Sequence, residues 1–454
     1  MAVWSLSSLK EVRSNRRVDS EFFRPEYLSA EQRVRDCDFV ELGWLGSFVP
    51  GPFGSAFHVQ NYDFKSPYRY IRGKDVKPFF LLNNDNRYLP ASDFQRLRQY
   101  EVCNDDLMIS VVGTLGNVAI CTEEDVPAMF SCKSTLFRSK EADPYFLLAY
   151  LNSAPGLLCM LRRQRGAIQA GLNMEDLRTI PVPRFGEETE LAIAENVRAA
   201  HRNLITSRQT YETAQQMLEL ELGLDKLTNQ KPVGYAARFS TVGWSETFSA
   251  GRVDAQCFAP DARLYENWLR AHTQSDHLGS VLQSTAKGRQ QNDADEGSTD
   301  YCSIKHINGR ELVEVSKCFP QTDAPLAKAN DLLLAITGAT IGKVGIVKRY
   351  EQLAFSGDLL RLRAVESIDP HYLLLVLDHK IGQVQFNRWI TGSTNGHLAP
   401  GDVARVLVPR LSSKSEAKIA NLVKSSLYKR RESEQLLEQA KTRVEQLIEA
   451  AVQP

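Results

Sequence analysis

The sequence predicts a mixed α/β (α+β) protein. Two copies of one globular domain are expected, joined by two long antiparallel coiled-coil helices with pseudo-two-fold symmetry. Three observations predict this. A line running from Asp106-Leu107-Met108-Ile109-Ser110 through Gly113-Thr114-Leu115-Gly116 to Ile120 returns later in the chain. It reappears as Asp331-Leu332-Leu333-Leu334-Ala335 through Gly338-Ala339-Thr340-Ile341-Gly342 to Ile346, with one residue inserted in the Gly turn. Each copy consists of short apolar runs separated by Gly, the pattern of buried strands joined by tight turns. Each copy is followed by a long segment without Pro and nearly without Gly, over about 187–222 and 414–451.

The repeat begins well before those lines. Val18-Asp19 ahead of Phe23, Pro25 and Tyr27 is echoed by Val253-Asp254 ahead of Phe258, Pro260 and Tyr265. Tyr70-Ile71-Arg72 has a looser echo in Tyr301 and Ile304-Lys305. Asp143-Pro144-Tyr145 returns as Asp369-Pro370-His371, with Asp at a helix N-cap and Pro at the first helical position. Arg165-Gly166 through Asp176 and Pro183 returns as Thr391-Gly392 through Asp402 and Pro409. From Gly116 and Gly342 onward the spacing holds at about 226 residues, far beyond the ~20–50 of a solenoid repeat. The segments between the echoes diverge: residues 47–68 have no likeness in 281–299, and 78–100 has only a weak counterpart.

The two long segments read as helices. Seven-residue spacing gives Val197, Leu204, Tyr211 and Leu218 in the first, and Val423, Arg430, Leu437 and Val444 in the second. A second seam is uniformly small: Ala200, Ser207, Ala214, and Ser426, Ser433, Ala440. A small stripe lets two backbones come close, and sustained heptads favour coiled-coil packing. Arg430 interrupts its seam and is expected to reach solvent along its stem. A helix of 36 residues would form a rod of roughly 54 Å. The competing arrangement has each helix covering its own domain.

Composition narrows the function. With 43% hydrophobic and 24% charged residues, the chain has the make-up of a soluble globular protein. Lys and Arg number 55 and Asp and Glu 55, which speaks against a binder that holds nucleic acid by bulk charge alone. No run of about 18 apolar residues is uninterrupted; the nearest, 146–161, contains Asn152, Ser153 and Pro155. The start, Met1-Ala2-Val3-Trp4, lacks the pattern of a signal peptide. Eight cysteines without a CxxC pair are expected as free thiols in the cytoplasm, with no metal site.

Taken end to end, the chain resembles the specificity (S) subunit of a Type I restriction-modification system. The residues that carry the resemblance are Val18-Asp19, Phe23 and Pro25 with their echo, the Gly113–116 and Gly338–342 turns, and the Gly166/Gly392 to Pro183/Pro409 segments leading into the helices. One departure is that only Glu188 and Glu190 stand where that family often has a Glu-Gln pair. The resemblance implies target-recognition domains over 1–186 and 227–410, and spacer helices over 187–226 and 411–454. It implies double-stranded DNA with two half-sites as ligand, and two methyltransferase (M) subunits as partners, joined in some systems by two restriction (R) subunits. S-adenosylmethionine would be bound by M, and ATP with Mg by R. The S chain itself would hold no cofactor and perform no chemistry.

Candidate DNA contacts follow from side-chain chemistry. In the first unit the loop before the final Pro offers Arg162, Arg163, Arg165 and Gln169; in the second it offers Arg388, Ser393, Thr394, Asn395 and His397. Arg bonds guanine bidentately, Asn and Gln bond adenine, and Gly lets phosphate approach backbone N–H groups. Lys287, Arg289 and Gln290 beside Gln291 form a second candidate loop, and Arg69, Arg72 and Lys74 are candidate phosphate contacts. A solvated basic turn is the competing account of each. Enzyme signals fail: Gly338 to Val344 is one residue short of a P-loop and has Val where Ser/Thr is required. No Asn/Asp-Pro-Pro-Tyr/Phe segment for adenine methylation is present. A second reading, a duplicated scaffold that binds other proteins, draws on the neutral charge.

Overall fold

The structure, a computed structural model, describes residues 9–15, 17–52, 54–166, 169–227, 251–252, 254–321, 323–392 and 395–452. Val253, Ser393 and Thr394 lie outside them. The chain divides into two compact units, residues 1–204 with 431–454, and residues 205–430. The division falls within both long helices.

In the first unit a sheet runs in the order Gly46–Pro50, Ser134–Ser139, Leu107–Ser110, Val118–Ile120, Phe79–Phe80. In the second the order is Leu282–Lys287, Leu359–Ala364, Leu332–Ala335, Val344–Ile346, Glu311–Leu312, Ile307–Asn308. The register repeats too: Leu107 opposes Phe137 and Leu332 opposes Leu362. A parallel pair accompanies each sheet, Arg69–Ile71 with Ala128–Phe130, and Thr299–Cys302 with Leu353–Phe355. The Asp106 and Asp331 lines supply central strands, buried at every position.

Those two aspartates are scaffold. Each is 1% exposed. Arg138 grips Asp106 through two bonds of 2.7 Å, and Arg363 grips Asp331 through two of 2.7 Å. Each carboxylate also accepts the amide three residues upstream, Cys103 or Lys328, at 2.8 Å. Asp105 (φ 66°) and Asn330 (φ 71°) precede them in the left-handed region that Asp and Asn tolerate best among non-glycines. Charge-assisted bidentate pairing in a buried site fixes the loop entering the strand.

Two helices then pack on each sheet. Asp143 caps Pro144–Asn152 by accepting from Tyr145 N at 2.9 Å, and Asp369 caps Pro370–Asp378 by accepting from His371 N at 2.8 Å. The apolar run 146–161 falls into Pro144–Asn152 and Ala154–Leu161, bent by 77°. Phe146 through Leu151 are wholly buried in the core; among the described residues no single helix is long and apolar enough to cross a membrane. The next helix begins at a cap in both units, Ser153 in one and His379 in the other. Asp378-His379 is thus a helix junction, with Asp378 taken by Arg310 and Tyr211.

The long helices span Glu187–Glu221 and Ser413–Val452. Each starts at the same device. Arg184 donates to Glu190 and Arg410 to Glu416 at 2.9 Å, while the amides of Phe185 and Leu411 donate to the same carboxylates at 3.0 Å. Acidic side chains there also suit the positive end of the helix dipole. In the first unit Val197 and Ala200 are buried, and Val197, Ala440 and Val444 join one core with Ile193, Ala194 and Ile448. Leu204 and Leu437 are partly buried and Ser433 is buried. In the second unit Tyr211, Ala214 and Leu218 share the core with Val423, Ile419, Ala420 and Leu427. There the helices run antiparallel, since Ser207 bonds Ser426 while Glu221 bonds Ser415. Each helix therefore packs on its partner and on a sheet domain at once. Arg430, which interrupts its seam, is half-exposed. Its Nη1 reaches the carbonyl of Gly309 at 2.7 Å.

Candidate nucleic-acid interface

Four of the expected DNA contacts are internal. Arg163 is 4% exposed. It donates to Glu31 at 2.8 Å and to the carbonyls of Cys159 and Thr179 at 2.6 Å each. Arg162 also pairs with Glu31, at 3.0 Å, and lies 4.2 Å from the centre of the Phe22 ring. Burial alone would raise the Glu31 carboxyl, but the two guanidiniums hold it down at about 2. Arg388, 5% exposed, makes the equivalent pair with Glu266. Arg69 is buried against Asp125 and the carbonyl of Leu82. These arginines fasten helices and turns within the units, because carboxylates distant in sequence claim them, and they offer nothing to a ligand outside.

Arg72 and Lys74 sit on the turn Gly73–Asp75. Arg72 is held by Asp75 through two bonds of 2.9 Å and by Asp85 at 3.2 Å; Lys74 reaches Asp85 at 3.0 Å. Lys74, Arg72 and Arg87 together hold the Asp85 carboxyl at about 2. All three cations are thus already paired with that carboxylate.

The remaining candidates gather at one end of each sheet. In the first unit Gly46–Pro50 and Leu107–Ser110 finish there and Ser134–Ser139 begins. Gly51 is required: a Cβ would lie 2.6 Å from the Ser131 carbonyl oxygen. The strands Gln164–Arg165 and Gly171–Leu172 form a hairpin that leans on the same end, where Leu172 N donates to Val111 O at 3.0 Å. Its tip turns at Gly166 (φ +102°), where a Cβ would meet Gln169 O at 2.4 Å.

The second unit repeats this rim. A Cβ on Gly288 would lie 2.3 Å from the carbonyl oxygens of Phe355 and Ser356. His397 bridges Thr391 and Thr337, and a Cβ on Gly392 (φ +95°) would lie 2.4 Å from Asn395 O.

Exposed on the first rim are Arg165, Gln169 and Lys133; exposed on the second are Lys287, Arg289, Gln290 and Asn395, with His397 half-buried. Gln291 is buried, and its backbone amide donates to the Tyr301 hydroxyl at 3.2 Å. Arg165 pairs with Asp176 at 2.5 Å and Arg289 with Asp323 at 2.6 Å. Arg165, Arg289 and Asp323 are exposed while Asp176 is half-buried, and bridges at such a surface are worth about 0–1 kcal/mol.

Lys133 was not among the expected contacts. A Cβ on Gly73 would meet its Cβ at 2.9 Å, so the Arg72–Lys74 turn borders the rim at this residue. The signal was present: Phe130-Ser131-Cys132-Lys133 is echoed by Phe355-Ser356-Gly357-Asp358.

No family model matches the chain, and no curated protein matches it in sequence. Solved structures do. The S subunit of a Type-I restriction-modification system from M. genitalium is similar over 92% of this chain and 97% of its own, at 12% identity and a TM-score of 0.45. The HsdS subunit from Thermoanaerobacter tengcongensis covers 91% of this chain and 95% of its own, at 13% identity and a TM-score of 0.28. A chain from a type I R-M system, studied for complex assembly and conformational transition, covers 90% and 96%, at 15% identity and a TM-score of 0.30. Two of these three structures, each similar across most of this chain, are of Type I S subunits. At these identities and TM-scores, the functional reading rests on the chain's own residues.

Proposed function

We propose that this chain is a DNA-specificity subunit of a Type I restriction-modification complex. Each rim reads one half of a bipartite duplex site. The two long helices serve as an antiparallel coiled-coil spacer that relates the rims by a pseudo-two-fold, matching the symmetry of duplex DNA. The chain recruits two M subunits and, in systems that have them, two R subunits. S-adenosylmethionine belongs to M, and ATP with Mg to R; this chain supplies address and distance.

One observation carries the reading. The buried ion pairs, caps and register of the two units coincide, while the exposed residues of their rims differ: Arg165 and Gln169 against Thr391 and Asn395. A scaffold kept constant beneath a variable polar edge is the arrangement expected of two readers of different sequences. Each wrong base pair costs about 1–3 kcal/mol, so two short half-sites discriminate strongly together. Tethering them raises the effective concentration of the second at the DNA.

The test is nuclease protection on duplexes recovered from a random pool by the full-length chain co-expressed with its flanking genes. Two protected patches separated by an unprotected gap are expected. Recovery of duplexes with no shared sequence would overturn the proposal. The scaffold reading draws on the neutral charge and on the arginines already claimed by carboxylates; it predicts binding of protein with no DNA selection.

A further inference from the structure

Lys133 in the first unit and Asp358 in the second occupy the same place in the repeated fold. The Val111 amide donates to the Lys133 carbonyl at 3.0 Å, and the Ile336 amide donates to the Asp358 carbonyl at 2.9 Å. Two residues earlier, Ser131 N bonds Ile71 O and Ser356 N bonds Cys302 O, both at 2.9 Å. One residue later the strands Ser134–Ser139 and Leu359–Ala364 begin. The two positions therefore share their backbone hydrogen bonds, and their charges are opposite.

The second unit also holds its anion in place. Thr337 Oγ1 donates to Asp358 Oδ1 at 2.5 Å. The residue that stands where Thr337 does is Val112 in the first unit, which carries no hydroxyl. Thr337 itself is anchored by its bridge to His397 on the rim. Asp358 is half-exposed and Lys133 exposed. A carboxylate fixed on a surface that meets DNA repels phosphate, so it adds nothing to general affinity. What it can do is accept from the N4 amino group of cytosine and reject the O6 and N7 acceptors of guanine. An ammonium at the same place does the reverse: it donates to guanine O6 and N7.

We infer that Lys133 and Asp358 are a charge-inverted pair of specificity-determining residues. Lys133 selects a guanine in the half-site read by the first unit, and Asp358 selects a cytosine in the half-site read by the second. This rests on the DNA-reading function proposed above and deepens it.

The test is selection from a random duplex pool with the full-length chain co-expressed with its flanking genes. Wild type is compared with Lys133→Glu, Lys133→Gln, Asp358→Lys and Asp358→Asn. Asp358→Asn retains an acceptor for Thr337, and Lys133→Gln is neutral, so both guard against misfolding of the charge-reversed variants. Wild type should select a two-part site. The Lys133 variants should lose a guanine in one part, and the Asp358 variants a cytosine in the other, each by about 5- to 150-fold in preference. The part read by the untouched unit should stay the same. A two-part site selected identically by all five proteins overturns the inference and leaves the proposed function standing. Failure of wild type to select any sequence overturns both.

Discussion

Ser207 and Ser426 bond each other's backbone. The Ser207 hydroxyl donates to the Ser426 carbonyl at 2.7 Å, and the Ser426 hydroxyl donates to the Ser207 carbonyl at 2.8 Å. Both are buried. Only small side chains allow two helix backbones this near. Ser207→Ala should cost about 1 kcal/mol, the ordinary net worth of a buried hydrogen bond. Ser207→Leu should cost about 1–3 kcal/mol through overpacking. Urea denaturation of both single variants and of the double alanine variant checks this. Strictly additive losses would mean that the two bonds do not form as a pair.

Glu31→Gln should destabilise the chain by about 3–5 kcal/mol, because it leaves two buried guanidiniums without a counter-charge. Glu266→Gln should act in the same direction on Arg388. Thermal melts followed by circular dichroism measure both, and a change no larger than that of an exposed substitution would contradict the buried pairing.

Acid should act through the same residue. The folded-state carboxyl of Glu31 stands at about 2 against an ordinary 4.5. A depressed carboxyl contributes stability that is fully present above 4.5 and is lost as pH falls from there toward 2. Melting temperature should decline over that window, and less steeply in Glu31→Gln. Parallel curves for the two proteins would count against it.

Surface and buried arginines should separate cleanly in DNA binding. Arg165→Ala, Lys287→Ala and Arg289→Ala should leave stability within about 0.5 kcal/mol while weakening binding. Each that touches a phosphate should lower the salt slope by about one. Arg163→Ala and Arg388→Ala should lose stability first. Titration of labelled duplex at several salt concentrations, beside melting curves, distinguishes the groups.

The duplication was legible because its markers are short-range. Asp before Pro, Gly in a turn and an Asp ahead of an apolar run keep their meaning wherever the chain carries them. The direction of an arginine is not such a property. Arg163 lies in a loop as basic as any DNA-binding turn, and its partner Glu31 is 132 residues away. Ser and Ala at seven-residue spacing signalled a close helix contact, but which stretch of each helix joins which core depends on packing that no heptad records. Lys133 carries no such marker, because it belongs to no basic cluster and its echo, Asp358, has the opposite sign.

The division of the long helices bears on the order in which the protein is made. The unit formed by residues 205–430 is continuous in sequence and has all its parts once residue 430 has left the ribosome. The other unit begins first yet draws Ala440, Val444 and Ile448 into its core. It must wait until residue 448 has been made, holding apolar surface uncovered in the meantime. Of these two units, the one whose translation begins first is thus the one completed second.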